Sequence, residues 1–220
     1  MSQLSSAVLS NQISAHKELE SISKKHLSNV YKKPYRQFSE ELFNQLDEIQ
    51  KFINLPIILD SGCGTGESSI KLSELYPDHL VIGIDKSEKR LAKVLNDKPI
   101  YHKNNLIIAR ADVIDVWRLA KQAGWNTKKH YLLYPNPWPK KDQFKRRWHA
   151  HPIFPQLVNL CDQIELRTNW EIYAEEFKQA LELVTEKDIL LETISINNFI
   201  SPFEKKYHES GHELYRVILK

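Results

Sequence analysis

The stretch from Leu132 to Arg147, LLYPNPWPKKDQFKRR, constrains the fold most strongly because it contains three prolines in alternation. Each proline lacks a backbone N–H and has a fixed φ, so neither a helix nor a central strand can continue through this stretch. The apolar run Tyr131–Tyr134 at its start is typical of a short buried strand. The sequence therefore predicts a strand that ends in a rigid loop carrying Asn136 and Trp138.

A basic tract follows this loop. It contains one acid, Asp142, and five cations: Lys140, Lys141, Lys145, Arg146 and Arg147. Five minus one gives +4, which exceeds the +3 of the whole chain. Ligands of open α/β sheets bind at the carboxyl ends of the strands, so the charge is concentrated beside a candidate site. The alternative interpretation is a solvated charge run with no ligand.

Length and composition indicate a soluble globular protein. The 220 residues suit one domain, with 41% hydrophobic and 27% charged residues. Cys63 and Cys161 lack the spacing of a disulfide framework or a metal site, which fits a reducing compartment. There is neither a signal-like N-terminus nor a stretch of membrane-spanning length. We expect a cytoplasmic protein that binds no metal and no membrane and is a monomer or a weak homodimer.

Apolar strand patterns alternate with helical patterns along most of the chain. Seven segments are predicted as strands: Leu55–Asp60, Leu80–Asp85, Leu106–Ala109, Tyr131–Tyr134, Gln163–Thr168, Ile189–Ile194 and Leu214–Leu219. Helices are predicted over Gln37–Asn54, with Ser39 as its cap, and over Glu171–Val184. This order predicts an α/β fold with a mostly parallel seven-stranded sheet and helices on both faces. We predict an N-terminal extension over 1–54, partly helical or disordered, and a main domain over 55–220.

A glycine-rich turn joins the first predicted strand to a helix. Its glycines, Gly62, Gly64 and Gly66, allow a tight turn and a close approach of a ligand to the backbone and the helix N-terminus. Asp85, nineteen residues after Gly66, ends the next strand, where a carboxylate can accept hydrogen bonds from ribose hydroxyls. The turn predicts a nucleotide-like cofactor, against the alternative of an ordinary strand-to-helix turn.

Two cofactor classes fit this turn, dinucleotides and S-adenosylmethionine. Glu67 stands where the dinucleotide fingerprint has its third glycine. Asp60 precedes the turn, where it could meet a cofactor amino group, and Asp112 follows the third strand, within predicted reach of an adenine amine. An acidic lining suits a cationic sulfonium with a free amine better than an anionic pyrophosphate.

Several motifs together resemble the bacterial tRNA (guanine-N7)-methyltransferase family of the TrmB type. The family has a Phe-Pro-Asp-Pro-Trp-Pro-Lys loop followed by Lys-Arg-Arg, and this chain has Tyr134–Lys140 followed by Lys145–Arg147. A Thr-Asp element before a helix appears as Thr168-Asn169, and the C-terminal Thr-x-Phe-Glu appears as Ser201–Glu204. The resemblance extends from about Ile57 to the C-terminus.

The resemblance implies a Rossmann-like class I S-adenosyl-L-methionine-dependent methyltransferase that forms N7-methylguanosine in the variable loop of tRNA. Asn136 matches the aspartate at the family's reaction centre and is the predicted catalytic residue. The predicted cofactor-binding residues are Asp60, Gly62, Gly64, Gly66, Asp85, Asp112 and Asn136. The predicted substrate-binding residues are Lys140, Lys145, Arg146, Arg147, Asn169, Ser201, Pro202, Phe203 and Glu204.

The chain departs from the family pattern in several places: Asn136 and Asn169 replace aspartates, Ser201 replaces a threonine, and the segment His149–Pro152 is not typical of the family. Two alternatives therefore stay open. The first is an exocyclic-amine RNA or DNA methyltransferase, because Asn136-Pro137-Trp138 resembles the Asn-Pro-Pro-aromatic loop of those enzymes with one residue missing. The second is a non-catalytic RNA-binding protein that keeps the cofactor fold.

Overall fold

The computed structural model describes residues 4–220, so residues 1–3 of the predicted extension lie outside the described part. The helices are α1 (Leu19–Leu27), α2 (Gln37–Ile53), α3 (Glu67–Leu75), α4 (Glu88–Leu95), α5 (Val113–Gln122), α6 (Phe154–Val158), α7 (Glu171–Val184) and α8 (Pro202–Glu209). The strands are β1 (Ile57–Ser61), β2 (Leu80–Asp85), β3 (Ile100–Lys103), β4 (Leu106–Arg110), β5 (Thr127–Leu133), β6 (Cys161–Thr168), β7 (Ile189–Thr193) and β8 (Tyr215–Leu219). Two 3-10 helical turns span Lys141–Arg146 and Trp148–Ala150.

These elements form two compact units. One unit contains residues 33–133 and 160–162, and the other contains residues 4–32, 134–159 and 163–220. This grouping differs from the division at residue 54 that the sequence predicted, because α2 packs against α5 whereas α1 packs against α7.

The unit around residues 33–133 is an α/β layer with the strand order β3-β4-β2-β1-β5. The pairs among β4, β2, β1 and β5 are parallel, and only β3 is antiparallel, to β4. Every residue of β1 and β2 is buried, as expected for interior strands of a parallel sheet. Helix α2 contributes Leu42, Phe43 and Leu46 to the core.

The other unit has the antiparallel strand order β6-β8-β7. Helix α7 packs on β7 and β8 because Tyr173, Phe177 and Leu181 form a buried stripe at helical spacing. The N-terminal helix α1 packs against the same helix. Residues 19–27 of the predicted extension are thus an integral part of this unit.

The predicted elements agree with the observed ones wherever apolar periodicity is strong; β2 and α7 match residue for residue. The described residues form eight strands where the sequence predicted seven, since the short strand β3 at the sheet edge is half polar and gives little signal. Ser39 does not cap α2: the cap position is Arg36, and Ser39 is buried inside the first turn. Between residues 4 and 220, every helix is too short or too polar to cross a bilayer.

Candidate functional site

The glycine turn after β1 requires its glycines. Gly62, Gly64 and Gly66 have φ of +80°, +62° and +86°, a left-handed conformation that costs other residues about 1–2 kcal/mol each. The amides of Gly62 and Cys63 donate to the carbonyl oxygen of Ile84 at 2.7 and 3.1 Å, which ties the turn to the end of β2. Each of the three alternating glycines therefore occupies a left-handed position of the turn.

Asp85 anchors this turn from the neighbouring strand. Its carboxylate is buried and accepts hydrogen bonds from the amide of Gly64, at 3.0 Å, and the amide of Ser87, at 2.8 Å. Arg90, which is largely exposed, completes an ion pair with it at 3.0 Å. A carboxylate has about four acceptor sites, so Asp85 keeps capacity for a ligand hydroxyl, and more if Arg90 withdraws into solvent.

Asp60 is the acidic side chain of the turn whose hydrogen-bonding capacity is least filled. Its Oδ2 accepts hydrogen bonds from Ser68 Oγ, at 2.6 Å, and Ser69 Oγ, at 2.7 Å, at the start of α3. Its Oδ1 is buried without a hydrogen-bond partner among residues 4–220. Burial raises the pKa of Asp60 to about 6, although the two serine hydroxyls oppose the shift. A buried acceptor without a donor is unfavourable, so a ligand amine at Oδ1 would be stabilised there.

Asp112 lies directly after β4 and caps α5. Its Oδ1 accepts from the amide of Ile114 at 3.0 Å, and Arg36 lies 3.8 Å from its Oδ2. The side chain therefore has a structural role at the start of α5, and the adenine contact that its position after the strand suggests stays a prediction. The unit around residues 33–133 brings Asp60, Asp85 and the three glycines together, as the sequence predicted.

The proline loop belongs to the other unit and is conformationally strained. Tyr134 and Trp138 have φ of +50° and +46°, unusual for residues with a side chain. Asn136 is exposed, and its Oδ1 accepts a hydrogen bond from the amide of Trp138 at 3.2 Å. The Arg146 guanidinium lies over the Trp138 ring, 4.8 Å from its centroid. The loop thus exposes an amide and a stacked cation.

The basic tract divides between surface and interior. Lys140, Lys145 and Arg146 are exposed, consistent with the predicted role in binding a polyanion. Arg147 is fully buried, and its Nη1 pairs with Glu176 Oε2 at 2.5 Å. The prediction that Arg147 contacts substrate is therefore not supported, because its guanidinium is occupied inside the unit.

Glu204 is also an interior residue, contrary to its predicted contact with substrate. Its Oε1 accepts from Tyr134 Oη at 3.0 Å and from Arg167 Nη1 at 2.8 Å, and its Oε2 accepts from the amide of Ile200 at 2.8 Å. Full burial and three donors leave the carboxylate no surface for a ligand. Ser201, the neighbouring predicted residue, caps α8 by accepting from the amide of Glu204 at 3.1 Å.

The remaining predicted residues differ in exposure. Pro202 and Phe203 are exposed at the start of α8, with 44% of Phe203 accessible. Asn169 is half-buried and contacts His212, with 3.0 Å between Nδ2 and Nδ1. The predicted catalytic and substrate-binding residues of this unit that have accessible surface are thus Asn136, Lys140, Lys145, Arg146, Asn169, Pro202 and Phe203.

Sequence reasoning missed two sets of residues. Ser68 and Ser69 hold Asp60, and the only available signal was a pair of serines directly after the glycine turn. Arg167, which bridges Glu204 and Glu165, carries no signal in the sequence because it is one polar residue in an alternating strand.

The class of protein follows from comparison with known families and folds. The family described as "Putative methyltransferase" matches residues 54–217. The 16S rRNA methyltransferase KamB superposes with a TM-score of 0.53 at 14% identity, covering 86% of this chain and 97% of that chain. A 16S rRNA (adenine(1408)-N(1))-methyltransferase from Catenulisporales acidiphilia, solved with its cosubstrate SAM, superposes with a TM-score of 0.53 at 15% identity. This superposition covers 79% of this chain and 90% of that chain. The predicted class I methyltransferase fold is confirmed.

Curated relatives identify the family more narrowly. The tRNA (guanine-N(7)-)-methyltransferase of Neisseria meningitidis is 30% identical over 180 residues, which cover 76% of this chain and 72% of that protein. The enzyme of the same name from Mycoplasma genitalium is 24% identical over 193 residues, which cover 81% of this chain and 90% of that protein. The chain belongs to the tRNA (guanine-N(7)-)-methyltransferase family, so the resemblance based on the loop motif is confirmed.

The packing beneath the glycine turn generates a first prediction. A Cβ at Gly83 would lie 2.1 Å from Ser69 Oγ and 3.3 Å from Cys63 Sγ. Gly83→Ala should lower the unfolding free energy by about 1–3 kcal/mol through overpacking and weaken S-adenosyl-L-methionine binding, because Ser69 holds Asp60. Urea unfolding and calorimetric titration measure the two effects.

The matched control is Gly124→Ala. Gly124 also has positive φ, +68°, but a Cβ there meets nothing within 4 Å. This variant should lose about 1 kcal/mol of stability and keep the parent's cofactor affinity. Equal cofactor affinity in both variants would show that Gly83 packing does not support the turn.

The environment of Asp60 generates a second prediction, on pH. A carboxyl whose pKa rises from 3.8 to about 6 on folding favours the folded state at low pH, and this contribution is lost as pH rises through 6. The difference in unfolding free energy between Asp60→Asn and the parent should shift by up to about 3 kcal/mol in favour of the variant between pH 4 and pH 8. Urea unfolding of both proteins at the two pH values tests this; a pH-independent difference would contradict it.

Proposed function

We propose that this protein is an S-adenosyl-L-methionine-dependent tRNA methyltransferase that forms N7-methylguanosine in the variable loop of tRNA. The observation that carries the proposal is the loop Tyr134–Lys140, which exposes Asn136 and Lys140 from a defined backbone conformation within a chain of this family. We further propose that it acts in the cytoplasm, where its tRNA substrate occurs.

The residues of the glycine turn fit this cofactor. S-adenosyl-L-methionine supplies a methyl group on a positively charged sulfur and carries a free amine and a ribose. The unpartnered Oδ1 of Asp60 would accept from the amine, and Asp85 would accept from the ribose hydroxyls. A dinucleotide would instead bring an anionic pyrophosphate near two buried carboxyl groups, which electrostatics disfavours.

The chemistry at guanine N7 requires little from the protein. N7 carries a lone pair and no proton, so no general base is needed before methyl transfer. The chain's residues must hold the base with N7 in line with the methyl–sulfur bond, and such alignment is a large part of catalysis in two-substrate reactions. Asn136 can orient the base but supplies no charge to stabilise the ring as it becomes positive.

The exposed cations of the proline-loop unit suit tRNA phosphates, which leads to a third prediction. Replacing Lys140, Lys145 and Arg146 together by alanine should weaken tRNA binding and reduce the slope of log affinity against log salt by about one unit per lost contact. Filter binding of unmodified tRNA at several salt concentrations measures the slope.

The control for this triple variant is Lys178→Ala. Lys178 lies on α7 and is engaged in a surface ion pair with Glu182 at 2.9 Å. This variant should keep the parent's affinity and salt slope. A triple variant with an unchanged slope would show that the tract is only a solvated face.

The fourth prediction concerns Asn136, where the family motif has aspartate. Asn136→Asp keeps the acceptor oxygen that binds the Trp138 amide, so the loop conformation is retained while a negative charge is added. N7 methylation should therefore stay equal or rise, by up to the hundred- to thousand-fold that one preorganised electrostatic contact is worth in other enzymes. Single-turnover assays on unmodified tRNA, with the product nucleoside identified by mass spectrometry, test both rate and product.

The product separates the proposed function from its alternatives. A methyl group on an exocyclic nitrogen, with activity abolished in Asn136→Asp, would favour the amine methyltransferase. Cofactor binding with no methyl transfer to any tRNA would favour a non-catalytic RNA-binding protein. The relatives' names favour neither of these alternatives.

A further inference from the structure

The proline-loop unit contains a fully buried ion pair between Arg147 and Glu176. Glu176 Oε2 accepts from Arg147 Nη1 at 2.5 Å and from His149 Nε2 at 2.9 Å. Burial alone would raise the pKa of Glu176, but the His149 hydrogen bond and the Arg147 charge outweigh it and lower this pKa to about 2. A buried ion pair often stabilises a fold no more than apolar residues of the same size would. The role of the Arg147–Glu176 pair therefore lies in the groups that it holds in place.

Arg147 reaches from this pair to the proline loop. Its Nε and Nη2 donate to the carbonyl oxygen of Trp138 at 3.3 and 2.9 Å. The amide of the same residue, Trp138, donates to Asn136 Oδ1 at 3.2 Å. One left-handed residue thus connects the buried guanidinium to the exposed amide side chain.

The N-terminal segment completes the network. Gln12 is buried, accepts from Arg147 Nη2 at 3.0 Å and donates from its Nε2 to Glu176 Oε1 at 2.5 Å. Two residues earlier, Ser10 Oγ donates to the carbonyl oxygen of Pro139 at 2.6 Å. Both residues precede the 54–217 segment that matches the family, so each of these contacts joins a residue outside the matched segment to one inside it.

We propose that Arg147, Glu176 and Gln12 are positioning residues that fix the Trp138 carbonyl and thereby aim the Asn136 side chain at the target base. The prolines of the loop cannot donate hydrogen bonds, and the carbonyls of Trp138 and Pro139 accept hydrogen bonds from Arg147 and Ser10 instead. The inference rests on the proposed function only in naming the base as the ligand of Asn136.

The test uses Gln12→Ala in the full-length protein, because this variant leaves the Arg147–Glu176 pair in place. The matched control is Ile13→Ala, since the adjacent Ile13 side chain is 94% exposed. In single-turnover assays at saturating tRNA and S-adenosyl-L-methionine, Gln12→Ala should lower the methylation rate by about tenfold or more, because it removes the hydrogen bonds of Gln12 to two charged groups, Arg147 and Glu176. The dissociation constant for S-adenosyl-L-methionine should not change, and the control should match the parent in both measurements.

A spectroscopic measurement reports the loop conformation independently of activity. In protein labelled with 5-fluorotryptophan, the Trp138 fluorine signal is assigned by its loss in Trp138→Phe. It should shift or split in Gln12→Ala and in Arg147→Lys, whereas the signals of Trp117 and Trp125, in the other unit, should stay in place. If Arg147→Lys fails to fold, Gln12→Ala alone decides the result.

The outcomes separate this inference from the proposed function. An unshifted Trp138 signal in Gln12→Ala overturns the positioning role, and so does a shifted signal with the parent's methylation rate. A shifted signal with a reduced rate but a product other than N7-methylguanosine supports the positioning role and contradicts the proposed target atom. A rate reduced equally in Ile13→Ala would assign the effect to the segment's general packing and would also overturn the proposal.

Discussion

The conformation of the proline loop is the constraint on which the candidate site depends. Its prolines remove backbone donors, and two of its residues, Tyr134 and Trp138, hold a left-handed conformation that costs free energy. Besides the internal bond from the Trp138 amide to Asn136 Oδ1, residues outside the loop fix its backbone: the amide of Tyr134 donates to the carbonyl oxygen of Arg167 at 2.8 Å, and Arg147 donates to the Trp138 carbonyl. The polar groups that look catalytic in the sequence therefore divide into those that meet solvent and those that hold the loop.

Exposure within the basic tract changes from one residue to the next. Residues 141–146 and 148–150 form two 3-10 turns, and Arg147 between them has extended backbone. The buried residues of 141–150 are Phe144, Arg147, His149 and Ala150, whereas Lys145 and Arg146 are exposed. A run of cations in a sequence therefore does not by itself predict one surface patch, because neighbouring cations in it differ in burial.

The sequence predicted the fold where one local signal dominates and failed where distant residues decide. Buried runs such as Leu80–Asp85 and the glycine turn are local signals, so β2 and the tight turn at Gly62, Gly64 and Gly66 were predicted closely. The start of β5 was missed because Lys128 and Lys129 interrupt the apolar pattern, although the backbone there is paired with β1. The contact between Gln12 and Glu176 joins residues 164 positions apart, and no periodicity along the chain can indicate it.

The two carboxyl groups of the glycine turn differ in how far the protein satisfies them. Asp85 receives two backbone amides and a guanidinium, whereas Asp60 receives two hydroxyls and keeps one buried oxygen unpaired. With a pKa of about 6, Asp60 is partly protonated just below neutral pH in the free protein. A cationic amine at Oδ1 would favour the ionised form, so the proposed binding of a positively charged cofactor would be coupled to proton release at this residue. The unpaired oxygen of Asp60 would thus favour a cationic ligand over an anionic pyrophosphate.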